Sequence, residues 1–373
     1  MAHAYTPGLR VTGSARLRRE RRLPLRGAVL VARGDRVSPG TVVARTELPG
    51  NVQIVNLAAR LSLDPARAVA AMLVPAGASV AAGDVLARTR GLFGWGSSEA
   101  AAPCAGVVES VSPVTGQLVI REAPIPVEVR AYVSGVVAEV LPEEGVVVES
   151  HGAFLQGIFG VGGEASGALA VPVLRPDAEL RPADLGAEHR GRVVVGGAHV
   201  SYDTLLRARD VGVAAVVTGG FDDADLRRWL GRDLGVAITG GEALGLTLVL
   251  TEGFGRIPMA ERTWQLLRQH EGREASVSGA TQIRAGVLRP EIVIPLDDTG
   301  PEGEEPDGGA LAVGALVRVI REPWFGRLGR VTALPVELRA LETEAVVRVL
   351  ELEFLDTPER RVVPRANVER IAP

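Results

Sequence analysis

Two pairs of internal repeats dominate the amino-terminal half of the chain and restrict its fold more than any other feature. Residues 34–47 (GDRVSPGTVVARTE) align with 77–90 (GASVAAGDVLARTR), and residues 106–116 (GVVESVSPVTG) align with 135–145 (GVVAEVLPEEG). Each repeat is typical of a short valine-rich strand, a turn marked by glycine or proline, and a second short strand. The pattern predicts a mostly β region that contains two related units.

One segment of this half departs from the β pattern. Residues 54–71 have the periodicity of a helix, and Asp64-Pro65 within them is typical of a helix cap. We therefore predict a β region over residues 27–175 with a single helical segment.

The repeats resemble the biotinyl/lipoyl-type hammerhead, which is also called the barrel-sandwich hybrid. The resemblance rests on Gly-Asp-x-Val-x-x-Gly-x-Val-Val-Ala at 34–44 and on Ala-Pro-Cys-Ala-Gly-Val-Val-Glu-Ser-Val at 102–111. It implies two interleaved units, as in the amino-terminal regions of the RnfC and NqrA redox subunits and in insertions of RNA polymerase. It also leaves open the role of an accessory subunit in a redox complex.

The basic residues exclude the chemistry that carrier hammerheads perform. All 41 are arginine, and the chain has no lysine. Lysine-linked biotin or lipoate, Schiff bases and the lysine of a phosphate-binding loop are therefore impossible, and we expect no cofactor. Either a GC-rich genome or a thermophilic host explains the arginine bias.

The middle of the chain, 188–296, alternates strand and helix patterns. The predicted strands are 192–197, 214–220, 235–241 and 246–251, and the predicted helices are 202–210, 223–230 and 259–271. Such alternation predicts a small Rossmann-like α/β domain with a parallel sheet. The strands that end in Thr-Gly-Gly also resemble regulatory domains of the DRTGG type.

The Gly-Gly turns of this domain are a candidate anion or nucleotide site. They are Gly219-Gly220 and Gly240-Gly241, and Arg284 lies in a further polar turn. Ligands gather beyond the carboxyl ends of parallel strands, where glycine lets backbone N–H groups approach a phosphate. The alternative is that Asp222 or Asp223 simply caps the following helix.

The carboxyl-terminal part begins with an acidic linker at 297–309, which carries six acids and no base. Residues 310–373 then alternate short β runs. Within them, 314–331 resembles the KOW motif of NusG-type factors and ribosomal proteins, although Glu322 stands where that family usually has glycine. The matching residues are Gly314, Val317, Val319, Pro323, Phe325, Gly326, Gly329 and Val331. The resemblance implies an SH3-like barrel.

Two stretches are rich in arginine. The first is a basic amino-terminal arm, 1–26, and the second is the KOW-like stretch. Arginine can contact the phosphate backbone of a nucleic acid, and an exposed aromatic ring beside it can stack on the bases. The acidic pI of the whole chain, about 5.9, argues against tight nonspecific nucleic-acid binding. The candidate contacts for a protein or nucleic acid are Arg318, Arg321, Trp324, Phe325, Arg327 and Arg330.

Other candidate sites are few. Phe93 and Trp95 lie among glycines and either contact a partner or fold back over the β region. Cys104 is predicted to be a small buried residue, and the five histidines show no metal-ligand spacing. The sequence therefore indicates no catalytic residue and no metal site.

These observations favour a multidomain β plus α/β protein that acts through interactions rather than catalysis. We predict a cytoplasmic scaffold without a membrane span that binds itself or a larger protein machine. The first alternative is a transcription or translation factor that contacts RNA polymerase, the ribosome or RNA through the KOW-like barrel. The second alternative is a small-molecule sensor centred on the α/β domain.

Overall fold

A computed structural model gives the fold of this chain. It describes residues 9–89, 97–231, 244–281, 288–296, 311–319, 323–324, 327–335, 337–340 and 346–370. None of the helices in these ranges is long and apolar enough to cross a bilayer.

The chain is mainly β. The strands of the first part are β1 (Val11–Arg22), β2 (Ala28–Val29), β3 (Arg36–Val37), β4 (Val42–Leu48), β5 (Val52–Asn56), β6 (Ser79–Val80), β7 (Val85–Arg88), β8 (Glu99–Ala101), β9 (Gly106–Val111), β10 (Gln117–Arg121), β11 (Ile125–Arg130), β12 (Gly135–Leu141) and β13 (Gly145–Gln156). Those that follow are β14 (Phe159–Val161), β15 (Glu164–Ala170), β16 (Glu179–Leu180), β17 (Val193–Val195), β18 (His199–Val200), β19 (Ala215–Phe221), β20 (Thr247–Phe254), β21 (Glu274–Ser278) and β22 (Glu291–Pro295). The last are β23 (Leu316–Val319), β24 (Leu328–Ala333), β25 (Leu338–Ala340), β26 (Val346–Phe354), β27 (Arg360–Pro364) and β28 (Val368–Arg370). The α-helices are α1 (Leu57–Leu61), α2 (Pro65–Ala70), α3 (Tyr202–Val211), α4 (Asp223–Leu230) and α5 (Glu261–Gln269).

Equivalent hydrogen bonds relate the two pairs of sequence repeats. The Gly34 N–H donates to Val137 O at 2.8 Å, and in the second pair the Gly77 N–H donates to Val108 O at 2.7 Å. Both glycines have φ near +90°, where a side chain would be strained. Each repeat of the first pair thus contacts a repeat of the second pair in the same way. The unit built from 77–90 and 106–116 is nested inside the unit built from 34–47 and 135–145.

The two units have separate hydrophobic cores. Val37, Val43 and Val137 belong to one buried cluster, whereas Leu86 and Val108 belong to another. The duplicated pattern therefore produces two small cores rather than one shared core.

The prediction of one helix over 54–71 is wrong in two respects: the first residues form a strand, and the remainder forms two short helices. Residues 54–56 belong to β5, and the helical stretch divides at Ser62, whose φ is +54°. The cap at Asp64 is confirmed, since its Oδ1 accepts a hydrogen bond from Arg67 N at 3.1 Å. Pairing of β5 with β10 overrides the helical preference of the first residues.

The segment that the sequence predicts as a basic arm, 1–26, contains a strand over 11–22, and residues 1–8 lie outside the described residues. β1 pairs antiparallel with β13 from Val11 to Arg22, and Ala15 and Leu17 are buried beneath it. Arg16, Arg18 and Arg22 project from the exposed face of β1, whereas Arg19 and Arg21 lie on the face of Ala15 and Leu17 and are half-buried. The arginine run therefore forms part of the main sheet.

An eleven-stranded sheet joins the β region to the α/β region. Its order is β14-β20-β19-β17-β15-β21-β22-β13-β12-β3, with β1 also paired to β13. β15, β17, β19 and β20 run parallel, as the strand–helix alternation predicts. The sequence places a domain boundary between residues 175 and 188, but a single sheet contains strands from both sides of it. The later strands β21 and β22 pair with the earlier strands β15 and β13.

The predicted helices of the α/β region agree closely with α3, α4 and α5. The predicted strand at 235–241 lies entirely within 232–243, outside the described residues. In the carboxyl-terminal part, β23 to β28 form one six-stranded sheet around a buried cluster that includes Val317, Val331 and Leu352. The acidic linker at 297–309 also lies outside the described residues.

Candidate functional site

The Gly219-Gly220 turn is filled by protein backbone. A Cβ at Gly219 would lie 2.2 Å from Ile257 O, and a Cβ at Gly220 would lie 2.0 Å from Gly255 O. The Gly219 N–H already donates to Gly197 O at 2.8 Å. These glycines therefore permit close packing of the segment after β20, and the Gly219 amide is not free to bind an anion. Gly240, Gly241 and Arg284 lie outside the described residues.

Polar side chains do converge at the carboxyl ends of the parallel strands. His199, Asp222 and Arg256 follow β17, β19 and β20. His199 Nε2 lies 3.1 Å from Asp222 Oδ2, and Arg256 Nη1 donates to Glu179 Oε2 at 3.0 Å. Asp222 occupies the position before α4, but its side chain makes no capping bond and contacts His199 instead. The sequence pattern does not predict this cluster, whose two bonded pairs are 23 and 77 residues apart.

Arg318 does not lie on the surface. Its side chain is 1% exposed and enters the α/β region, where Nη2 donates to Glu252 Oε2 at 3.0 Å and Nη1 donates to Thr251 O at 3.3 Å. The prediction that Arg318 contacts a partner or nucleic acid is therefore wrong for this structure. Its role is to join the carboxyl-terminal sheet to the end of β20.

Two further arginines of the KOW-like stretch, Arg327 and Arg330, form hydrogen bonds within the protein. Arg327 forms two hydrogen bonds with the Asp356 carboxylate, at 2.7 and 3.1 Å, and its guanidinium lies 3.7 Å from the centre of the Phe354 ring. Arg330 is exposed and donates to Gly314 O at 2.9 Å. Pairing with carboxylates reduces the positive charge that a phosphate backbone would meet.

Of the two aromatic residues in the KOW-like stretch, Trp324 is among the described residues and Phe325 is not. Trp324 is partly buried and lies beside Phe354, with 6.2 Å between ring centres. Arg321 and Phe325 lie outside the described residues, as do Phe93 and Trp95 of the glycine-rich loop. These four predictions remain predictions.

A groove of about 760 Å³ lies where the β region meets the α/β region. Residues 20–22 of β1, 128–130 of β11 and 164–166 of β15 line it, together with Pro39, Gly40 and Tyr132. Arg21 crosses its base, since its guanidinium donates to both Glu164 oxygens at 2.7 Å and to Arg130 O at 2.7 Å. The groove therefore brings together three strands from distant parts of the sequence.

Each of these strands turns toward the groove an edge that, at the groove, no other described strand pairs with. In an antiparallel ladder, alternate residues direct their backbone groups toward the paired strand and away from it. The bond from Ala131 N–H to Thr41 O fixes this alternation in β11, so that Pro126, Glu128 and Arg130 point away from β4. Proline suits such an outward position because no ladder bond needs its N–H.

The other two strands show the same alternation of inward and outward backbone groups. The bond from Leu23 N–H to Glu144 O sets Glu20 and Arg22 to point away from β13. In β15, Glu164 and Ser166 point away from β21, and its pairing with β17 covers only residues 169–170. Within the described ranges, none of these outward groups makes a backbone–backbone hydrogen bond. A strand edge that no other strand pairs with is a template for another strand, so this groove is suited to receive one.

Tyr132 is a strained residue at the groove. Its φ is +69°, which is unusual for an aromatic residue, and its side chain is 5% exposed. Burial raises the pKa of the phenol well above its ordinary value, and the nearby Glu291 and Glu164 carboxylates add to this effect. The hydroxyl makes no hydrogen bond of good geometry within the described part of the chain. Sequence reasoning missed Tyr132 because nothing in the pattern signals a positive φ.

Cys104 is partly buried against the core that contains Leu86 and Val108, and desolvation raises its pKa. A raised pKa favours the protonated thiol, which is less nucleophilic than the thiolate. Among the described residues, no three histidine, cysteine, aspartate or glutamate side chains form a group that could hold a metal ion.

Comparison with known proteins identifies no relative: no protein-family model matches the chain, and no curated protein matches it.

Proposed function

We propose that this chain is a non-enzymatic interaction protein that binds an extended segment of a protein partner in the groove between β1, β11 and β15. The observation that carries the proposal is that three strands turn toward one groove backbone groups that, within the described ranges, make no backbone–backbone hydrogen bond. Main-chain hydrogen bonds supply affinity in strand addition, and side chains beside them supply specificity.

The joined framework supports this role. The eleven-stranded sheet links two of the three strands, and the buried ion pair between Arg318 and Glu252 attaches the carboxyl-terminal sheet. Binding to a groove whose strands are already fixed costs less conformational entropy than binding to a groove that must first be ordered. The amino-terminal repeats then act as a scaffold, in agreement with the absence of a carrier lysine.

The proposal is tested by substituting proline at an outward position. Glu128→Pro removes one groove-facing N–H and no ladder bond, so the fold should persist while partner capture from the native host is lost. Val52→Pro is the matched control, because Val52 also points outward from an edge strand but lies away from the groove. The captured partner should also slow hydrogen exchange at the groove-lining residues.

Equal capture by both proline variants, with exchange protection elsewhere, would overturn the proposal. Recovery of RNA polymerase or ribosomal proteins that is lost on nuclease treatment and unaffected by Glu128→Pro would favour the transcription or translation alternative. Recovery that is unchanged by nuclease and lost in Glu128→Pro is the expected result.

A second candidate function is small-molecule binding at the carboxyl ends of the parallel strands. It is favoured by the convergence of His199, Asp222, Glu179 and Arg256, since ligands of open α/β sheets bind at this edge. A thermal-stability screen with phosphates, nucleotides and carboxylates tests it. A shift that His199→Gln abolishes would support this candidate, and the absence of any shift would reject it.

A further inference from the structure

We infer that the partner segment adds antiparallel to β11 and carries an acidic residue, any residue and then a basic residue, in that order along its chain. The inference rests on the proposed function and specifies the chemistry that the groove recognises. It follows from the side chains of Glu128 and Arg130.

The charges on the other two strands are already paired. On β1, Arg22 contacts both Glu20 and Glu144. On β15, both oxygens of Glu164 accept hydrogen bonds from Arg21. These groups shape the groove but have little remaining capacity for a charged partner.

β11 differs because two of its charged side chains are uncommitted. Glu128 and Arg130 are both exposed, and within the described residues neither side chain makes a hydrogen bond or an ion pair. They stand two residues apart and so lie on one face of the strand, whereas Val127 and Val129 lie on the other face and are half-buried. β11 therefore presents one negative and one positive side chain beside its free edge.

The outward backbone groups and the charged side chains of β11 belong to the same two residues. Glu128 directs both its N–H and its C=O outward, and so does Arg130, whose carbonyl already accepts the Arg21 Nε hydrogen. In an added strand, the residue opposite Glu128 would bond to both its N–H and its C=O. The residue opposite Arg130 would bond to the Arg130 N–H, because Arg21 already occupies the Arg130 carbonyl. Directly opposite side chains in such a pair interact, and opposite charges stabilise it.

The direction of the strand fixes the order of the charges. In an antiparallel partner, the residue opposite Arg130 comes first and the residue opposite Glu128 comes two positions later. The first must be acidic and the second basic, and a β-branched residue between them suits the half-buried face of Val129. A parallel partner would need the reverse order. Antiparallel pairing is the more stable arrangement, and it is how β11 already pairs with β4.

Three labelled peptides of equal length test the inference with the full chain. The first is Thr-Val-Asp-Val-Arg-Val-Thr, the second exchanges its aspartate and arginine, and the third replaces both with glutamine. By fluorescence anisotropy, the first should bind roughly tenfold more tightly than the second, with the neutral peptide between them. Raising the salt concentration should reduce the difference.

The charge-exchanged variant Glu128→Arg/Arg130→Glu is the decisive control. Both positions are exposed, so its thermal unfolding should match that of the wild type, while the preference between the first and second peptides should invert. Exchange of the charges on Glu109 and Arg121, which pair with each other on another sheet, should leave the preference unchanged.

The outcomes separate this inference from the proposed function. Equal binding of all three peptides, lost in Glu128→Pro, would overturn the charge order and leave strand addition intact. Preference for the second peptide would overturn antiparallel pairing. Binding of no peptide, together with a dimer that either single charge change disrupts and the double exchange restores, would make a second copy of β11 the occupant and overturn the inference of a separate partner.

Discussion

Arg318 and Glu252 form a buried ion pair between two parts of the chain that are 66 residues apart in sequence. Arg318 lies on β23, and Glu252 lies near the end of β20. Glu252 also uses its other oxygen, Oε1, to accept the Ala260 N–H at 3.0 Å, just before α5. One carboxylate therefore holds both the carboxyl-terminal sheet and the start of a helix in the α/β region.

Removal of the arginine from this pair should be strongly destabilising. Arg318→Met leaves the Glu252 carboxylate buried without its cationic partner, which typically costs about 3–5 kcal/mol. We expect that loss in the free energy of unfolding measured with denaturant at neutral pH. Arg330→Met is the matched control, because Arg330 is exposed and, among the described residues, bonds only to the Gly314 carbonyl, and it should cost less than about 1 kcal/mol.

Neutralisation of both partners should restore part of the stability. In Arg318→Met/Glu252→Gln the amide oxygen can still accept the Ala260 N–H, and no buried charge remains. The double variant should therefore be more stable than Arg318→Met alone. Equal stability of Arg318→Met and Arg330→Met would contradict the importance of the pair.

The Gly-Gly turn after Thr218 should tolerate no side chain, even when no ligand is present. Gly220→Ala places a Cβ 2.0 Å from Gly255 O, and the overpacking should cost about 1–3 kcal/mol. Gly40→Ala is the matched control, since a Cβ there has no atom within 4 Å and should change the unfolding free energy by less than about 0.5 kcal/mol. Similar stability of the two variants would show that packing is not the reason for Gly220.

His270 should make the protein less stable as the pH falls. Burial, helped by the nearby Arg273 charge, lowers the pKa of this imidazole below its ordinary value near 6.5. The unfolded chain then binds a proton at a higher pH than the folded chain, so stability is lost as the pH falls from about 6.5 toward the folded pKa. The slope from this one group cannot exceed about 1.4 kcal/mol per pH unit.

The His270→Gln variant isolates this effect. Its unfolding free energy, measured by denaturant titration between pH 5 and pH 7.5, should depend less steeply on pH than that of the wild type. Parallel pH profiles for the two proteins would show that His270 titrates alike in the folded and unfolded states.

The Tyr132 hydroxyl should contribute little to stability. Because it makes no well-formed hydrogen bond in the described part of the chain, Tyr132→Phe removes a buried polar group without breaking a pair. We expect an unfolding free energy equal to that of the wild type or up to about 1 kcal/mol greater. A loss of more than about 1 kcal/mol would reveal a hydrogen bond to the Glu291 carboxylate.

The local pattern of the sequence determined most of the secondary structure. Glycines with positive φ are needed at Gly34 and Gly77 in both repeats, so the repeat spacing alone indicates equivalent turns. The α/β helices are likewise marked by local signals, such as Ser201 at the start of α3 and Gly212 at its end. Such features depend on a few neighbouring residues, and a sequence displays them directly.

Tertiary structure alone decided which residues meet. Ile54 has a helical context but lies in a strand because β10 pairs with it, and the arginines of β1 lie in a sheet because β13 does. Arg318 belongs to a basic stretch, yet it is buried because Glu252 lies opposite it. The groove likewise depends on the free edges of three strands, and the absence of a neighbour cannot be read from the residues of the strand itself. Hydrogen-bond partners and burial are set by long-range contacts, so the candidate site emerged only when the chain was folded.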